Sequence, residues 1–116
     1  MVFLVLGKGK TGSLVAQVAR ERGHGVRVFD VAENPHATAL TAPNLAGVDV
    51  VIDFTTAEAA LKNMRAVLSL GCRIVVGTTG WYGQLADMRS LEIPFETVCT
   101  NGWIVGAATV PDARRE

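Results

Sequence analysis

The feature that most constrains this chain lies at its start. An unbroken apolar run, Val2-Phe3-Leu4-Val5-Leu6, gives way to Gly7-Lys8-Gly9-Lys10-Thr11-Gly12 and then to "SLVAQVARERG", where Leu14, Val15, Val18 and Ala19 recur at helical spacing. A short continuous apolar run reads as a strand covered on both faces, so the glycines mark a tight strand-to-helix turn. Two phosphate-binding spellings overlap there. Gly7, Gly9 and Gly12 spell GxGxxG, while Gly9-Lys10-Thr11 spells the close of GxxxxGK[ST]. The second spelling needs a glycine five residues before Gly9, and Leu4, in mid-strand, stands at that place. The phosphate-wrapping loop is absent, and GKT is a coincidence of spelling.

The GxGxxG spelling has the context it needs. A strand precedes Gly7, a helix has begun by Gly12, and Asp30 closes the next strand-like segment, 18 residues beyond Gly12. In dinucleotide-binding turns the acid that takes the ribose hydroxyls lies about 20 residues on. Each glycine has a mechanical role: Gly7 makes the turn, Gly9 lets a pyrophosphate approach the backbone, and Gly12 lets the helix pack close to the strand. The helix N-terminus then offers free N–H groups and positive potential to that pyrophosphate. The alternative is a strand-turn-helix whose glycines serve only the turn. Strand, helix and acid together favour the dinucleotide reading.

Further along, the alternation continues. "GVRVFD" (25–30), "VDVVIDF" (48–54) and "CRIVVG" (72–77) read as strands, with a fifth expected in "IPFETVCT" (93–100). "TTAEAALKNMRAVLSLG" is the strongest helix: Leu61, Met64, Val67 and Leu68 make an apolar face, Glu58 precedes Lys62 by one turn, and Thr55 and Glu58 have capping-box spacing. Another helix is expected over 81–91. Between strands two and three, Pro35 and Pro43 leave room for at most a short helix, so that crossover is abbreviated. This order predicts a Rossmann-type doubly wound parallel sheet with right-handed crossovers. The dinucleotide-binding domain is expected over 1–100. Periodicity fades over 101–116, ending in the solvated-looking "PDARRE". Two loops fall where such a sheet places ligands, beyond the carboxyl ends of strands: "DFTT" (53–56) and "GTTGW" (77–81). Taken singly, Thr55 reads as a helix cap and Gly77 and Gly80 as turn residues.

Composition narrows the function classes. Lys plus Arg and Asp plus Glu both total 11, so no overall basic field recruits nucleic acid or an anionic membrane. No apolar run reaches the roughly 18 residues of a membrane span, and Met1 leads straight into a strand with no basic, signal-like stretch before it. Cys72 and Cys99 lie far apart with no CxxC, and read as reduced, buried thiols. Cytoplasm is the default compartment.

Together, "GKGKTG", "VVIDFTTAEAALKNM" and "GCRIVVGTTGW" resemble the amino-terminal, cofactor-binding half of the 4-hydroxy-tetrahydrodipicolinate reductase (dihydrodipicolinate reductase) family of lysine and diaminopimelate biosynthesis. The resemblance runs from residue 2 to about 89. It implies an oxidoreductase using NADH or NADPH to reduce a cyclic imine-type substrate. By position it places the pyrophosphate against Gly7, Lys8, Gly9, Lys10, Thr11 and Gly12, with Lys10 near the adenosine ribose and phosphates. It assigns the ribose hydroxyls to Asp30, the flanks of the cofactor to Phe54 and Thr55, and the nicotinamide end to Gly77, Thr78 and Thr79. Since Asp30 repels a phosphate and Glu33 adds negative charge, partly offset by Lys10 and Lys8, NADH is expected to be preferred and NADPH to bind more weakly.

The sequence also departs from the family pattern. Ala57 replaces a frequent Pro, and Thr11 a common Met. The family's Asn-Phe-Ser step is Asn101-Gly102-Trp103 here, and His24 and His36 are unpaired. The expectation is a cofactor-binding domain without its substrate domain, with no catalytic residue or metal ligand of its own, inactive alone and self-associating through apolar surface near Trp81 and Trp103. A non-enzymatic Rossmann nucleotide-sensing domain is the alternative, and an inactive fragment a third.

Overall fold

A computed structural model describes residues 1–77 together with the strands at 95–100 and 103–108. β1 (Val2–Leu6), α1 (Lys10–Glu21) and β2 (Gly25–Phe29) come first. A 3-10 turn at Pro35–Ala37 and the one-turn α2 (Ala42–Leu45) bridge to β3 (Val50–Asp53). Then come α3 (Ala57–Ser69), β4 (Arg73–Val76), β5 (Phe95–Thr100) and β6 (Trp103–Ala108). They build one six-stranded sheet in the order β2-β1-β3-β4-β6-β5. The first four strands are parallel, and β6 runs antiparallel between β4 and β5.

The abbreviated crossover decides the topology. After β1-α1-β2 the chain carries only the 3-10 turn and α2, and β3 returns to the far side of β1. The strand order therefore reverses between β1 and β3, which is the switch point where doubly wound sheets hold ligands. α1 and α3 lie on opposite faces. Phe3 and Ile52 line the side of the sheet that α1 packs on, whereas Leu4, Leu6 and Val51 enter the cluster with Ala60, Met64, Val67 and Leu68 of α3.

Most of the buried core lies on the α3 face, where Leu40, Leu45 and Val48 of the crossover close its edge. Cys72 is buried in this core. The α1 face is thinner. Its buried residues are Gly12, Ala16 and Ala19, a stripe of small side chains, while Leu14 is 57% exposed. The predicted apolar face was built on Leu14, Val15, Val18 and Ala19. Of these Ala19 is buried and Val15 and Val18 are half-buried, whereas Leu14 is turned outward: the helix, which opens at Lys10, is drawn in tightly at Gly12, and Ala16 joins the contact.

Two expectations at strand level change. The sheet is not wholly parallel, and residues 103–108, where periodicity fades, form β6. Gly106, Ala107 and Ala108 dilute any alternation in the sequence. Pairing on both sides, to β4 and to β5, supplies what the local pattern lacks. The helix expected over 81–91 and the "PDARRE" segment lie outside the described residues. No helix among the described residues is long and apolar enough to cross a membrane.

Candidate functional site

Parallel register brings the strand ends level. Leu6 stands opposite both Phe29 and Asp53, and Asp53 opposite Val76. The ladder continues one step beyond each strand: Gly7 N–H donates to the Phe29 carbonyl (2.8 Å), Phe54 N–H to Leu6 (2.9 Å) and Gly77 N–H to Asp53 (2.8 Å). Gly7, Asp30, Phe54 and Gly77 thus leave the sheet side by side at the switch point.

The glycines of the first turn differ in what they permit. Gly7 has φ +109°, and a Cβ there would stand 2.4 Å from the Phe54 carbonyl oxygen. A Cβ on Gly12 would stand 2.4 Å from the Gly7 carbonyl oxygen. Both positions exclude any side chain because backbone passes directly in front of them. Gly9 is the reverse case: among the described residues nothing lies within 4 Å of the place its Cβ would take. It is the N-cap of α1, with no side-chain cap bond and no acidic residue in the first turn. The first amides of the helix therefore have no intrahelical acceptor and carry its positive end.

Two clefts meet over this turn. One, about 400 Å³, is lined by Gly7, Lys8, Gly9, Asp30, Val31, Ala32, Phe54, Thr55 and Thr56. The other, about 370 Å³, is lined by Gly9, Lys10, Thr11, Gly12, Phe54, Thr55, Thr56, Ala57 and Gly77. They share Gly9, Phe54, Thr55 and Thr56. The predicted site residues Gly7, Lys8, Gly9, Lys10, Thr11, Gly12, Asp30, Phe54, Thr55 and Gly77 are thereby brought together, while Thr78 and Thr79 lie outside the described residues.

At the β2 end, Asp30 Oδ1 accepts from the Glu33 amide (2.8 Å), and Glu33 Oε1 accepts from the Asp30 amide (3.2 Å). Lys8 Nζ lies 2.7 Å from Glu33 Oε1. The hydrogen bond from Lys8, followed by the Asp30 backbone bond, holds the Glu33 carboxyl below the usual range, and the same contact raises the Lys8 ammonium. Lys8 is thus engaged by Glu33, whereas Lys10 lines the second cleft.

Thr55 is not the cap of α3. Thr56 is: its hydroxyl accepts from the Ala59 amide at 3.2 Å. The reason is Asp53, whose Oδ1 accepts from both the Thr55 amide (2.9 Å) and the Thr55 hydroxyl (2.6 Å). Capping moves one residue on, and Glu58 pairs with Lys62 (3.4 Å) in place of closing a capping box.

Asp53 was not singled out by its sequence context, yet it is fully buried. Its Oδ2 accepts from Asn63 Nδ2 (2.9 Å), Asn63 Oδ1 accepts from Asn34 Nδ2 (2.9 Å), and Asn34 Oδ1 accepts from the Ala39 amide (3.0 Å). Asn34, Asp53 and Asn63 are the buried polar side chains of the described residues, and one network holds all three. A sequence signal existed: Asn63 falls on the same α3 face as Ala60, Met64 and Val67.

The histidines take structural contacts. His24 meets the Phe3 ring edge-on at 5.1 Å, and His36 Nδ1 lies 2.9 Å from Lys62 Nζ.

Residues 1–99 match the family model described as "Dihydrodipicolinate reductase, N-terminus". The 4-hydroxy-tetrahydrodipicolinate reductase of Christiangramia forsetii is 31% identical over 91 residues, covering 78% of this chain and 36% of that protein. That of Bifidobacterium animalis subsp. lactis is 31% identical over 98 residues, covering 84% of this chain and 38% of that protein. The Archaeoglobus fulgidus enzyme is 39% identical over 90 residues, covering 63% and 34%. The chain thus spans between 34% and 38% of the length of these curated relatives. A solved complex of D-mandelate dehydrogenase with NADH aligns at a TM-score of 0.48 and 22% identity, over 86% of this chain and 40% of that one.

Proposed function

We propose, on the premise that this chain belongs to the dihydrodipicolinate reductase family by its amino-terminal part, that the double cleft binds a nicotinamide dinucleotide for hydride transfer to a cyclic imine-type substrate. The observation that carries this is the contrast among the three glycines. Two are closed by backbone, and the one at the helix start meets no atom of the described residues.

The residues present fit the group. The free amides at the head of α1 and the bare Gly9 would receive the pyrophosphate, with Lys10 adding positive charge beside it. Asp30 would accept from the adenosine ribose hydroxyls, which leaves Phe54, Thr55 and Gly77, with Thr78 and Thr79, for the nicotinamide half. When bound, the cofactor supplies the hydride. The protein's part is to hold the nicotinamide end at the mouth of the β3–β4 side, where an acceptor could be brought into line.

Asp30 sets cofactor choice in this reading. A carboxylate pairs with two ribose hydroxyls and repels a phosphate in their place, and Glu33, beside it, is paired with Lys8. NADH should bind more tightly than NADPH by about 1–3 kcal/mol. Titrating both cofactors against wild type and Asp30→Ala tests this. The expected result is weaker NADH binding and a narrowed gap in the variant, whereas equal wild-type affinities contradict it.

A further inference from the structure

Residues 31–36, which follow Asp30, are exposed except for Asn34, which is 8% exposed. Val31, the large apolar side chain of this stretch, is 54% exposed, so apolar burial does little to hold the turn. Its attachment is polar. Asn34 Nδ2 donates to Asn63 Oδ1 of α3 (2.9 Å), and Asn34 Oδ1 accepts from the Ala39 amide (3.0 Å). A backbone N–H can only donate, so it takes Oδ1 and leaves Nδ2 for Asn63. Asn63 in turn gives its own Nδ2 to Asp53 Oδ2 (2.9 Å), which keeps its Oδ1 toward Asn34.

Backbone bonds carry that anchor to Asp30. The Asn34 amide donates to the Asp30 carbonyl (3.2 Å) and to the Val31 carbonyl (3.3 Å). The Glu33 amide donates to the Asp30 carbonyl (3.2 Å) and to the Asp30 Oδ1 (2.8 Å). The carboxylate is therefore set by a turn that runs from Asp30 to Asn34, and the turn is pinned to α3 at its last residue. If the turn shifted, the Glu33 amide would leave Oδ1 and the carboxylate would lose its orientation.

We propose that Asn34, held by Asn63, is a positioning residue for the Asp30 carboxylate, and through it a determinant of ribose recognition in the adenosine half of the cleft. The proposal rests on the dinucleotide reading of the cleft and deepens it. Neither asparagine lines the cleft that Asp30 lines, and the effect passes through the turn. α3 leads out of β3, on the other side of β1 from β2. The pin thus fixes the ribose acid relative to the far side of the switch point, across the glycine turn that would hold the pyrophosphate.

The test is to measure affinities of ADP, 2′-deoxy-ADP and inorganic pyrophosphate for the full chain. The variants are Asn34→Ala, Asn63→Ala, Asp30→Ala and the Asp30→Ala/Asn34→Ala double variant. Wild type should bind ADP more tightly than 2′-deoxy-ADP. Asn34→Ala and Asn63→Ala should each weaken ADP about three- to tenfold, the range of one ordinary hydrogen bond. Both should bring the ADP to 2′-deoxy-ADP ratio toward one and leave pyrophosphate within about twofold of wild type. In the Asp30→Ala background, Asn34→Ala should cost ADP nothing further, because the group it positions is gone. If Asn34→Ala does not fold, Asn34→Ser, with a side chain one bond shorter, takes its place with the same expectations. The proposal is overturned if Asn34→Ala binds ADP as wild type does, if pyrophosphate weakens in parallel, if the ratio is unchanged, or if the ADP loss persists in full without the Asp30 carboxylate. A wild type that binds neither ADP nor pyrophosphate overturns the dinucleotide reading itself. One that binds both but does not distinguish 2′-deoxy-ADP overturns the ribose role of Asp30, and the positioning role with it.

Discussion

At the scale of single residues, the three glycines divide the labour of the turn, and substitution should separate their roles. Gly9→Val would place its side chain in open cleft. Cofactor binding should be lost while the melting temperature stays close to wild type. Gly12→Val would drive a side chain into the Gly7 carbonyl, and should cost at least about 2 kcal/mol in a denaturant titration. The Lys8–Glu33 pair invites a second substitution. Glu33→Gln frees Lys8 and removes a negative charge beside Asp30, so NADPH affinity should rise relative to NADH, and an unchanged ratio would contradict the electrostatic account. Acid is a poor substitute for the mutation. The folded Glu33 pKa is depressed, so the pair is fully present above the ordinary Glu range and is lost only as pH falls through the lowered value. The glycines and Asp30 were legible in the sequence because each occupies a place that chain geometry dictates. The Asn34–Asn63–Asp53 network was not, since its members are far apart in the chain and meet only when α3 docks on the sheet.

At the scale of elements, α3 shows why local rules missed by one residue. Capping spacing pointed to Thr55, but Asp53 at the end of β3 takes that hydroxyl, and Thr56 caps in its place. Thr56→Ala should therefore destabilise by about 1 kcal/mol, whereas Thr55→Val should act on NADH affinity. Equal stability losses in both would contradict the assignment. The apolar face of α3 was readable from its period, and Met64, wholly buried against the sheet, is its strongest test. Met64→Ala should cost about 2–5 kcal/mol by thermal or chemical denaturation. On α1 the same period held for Val15, Val18 and Ala19 and failed at Leu14, which stays exposed beside the close glycine contact at Gly12. β6 escaped notice for a different reason: a strand paired on both sides needs little pattern of its own.

At the scale of the whole molecule, the sheet carries its switch point at the carboxyl ends of its parallel strands, and the chain spans little more than a third of its curated relatives. Near-attack alignment of donor and acceptor is worth roughly 7–11 kcal/mol, and among the described residues the cleft presents no group arranged to grip a substrate. We therefore expect that the 116-residue chain holds NADH without oxidising it at an enzyme-like rate when the cyclic substrate is added in single turnover. Self-association, expected from the sequence alone, would appear in sedimentation as a species of at least twice the 12.3 kDa chain mass. The central claim is that this edge is a cofactor site. Calorimetric titration of NADH into wild type and Gly9→Val tests it most directly. Saturable binding of one NADH per chain, lost in a Gly9→Val protein that melts like wild type, is the predicted result. No saturable binding by the wild type, or equal binding by Gly9→Val, would contradict it.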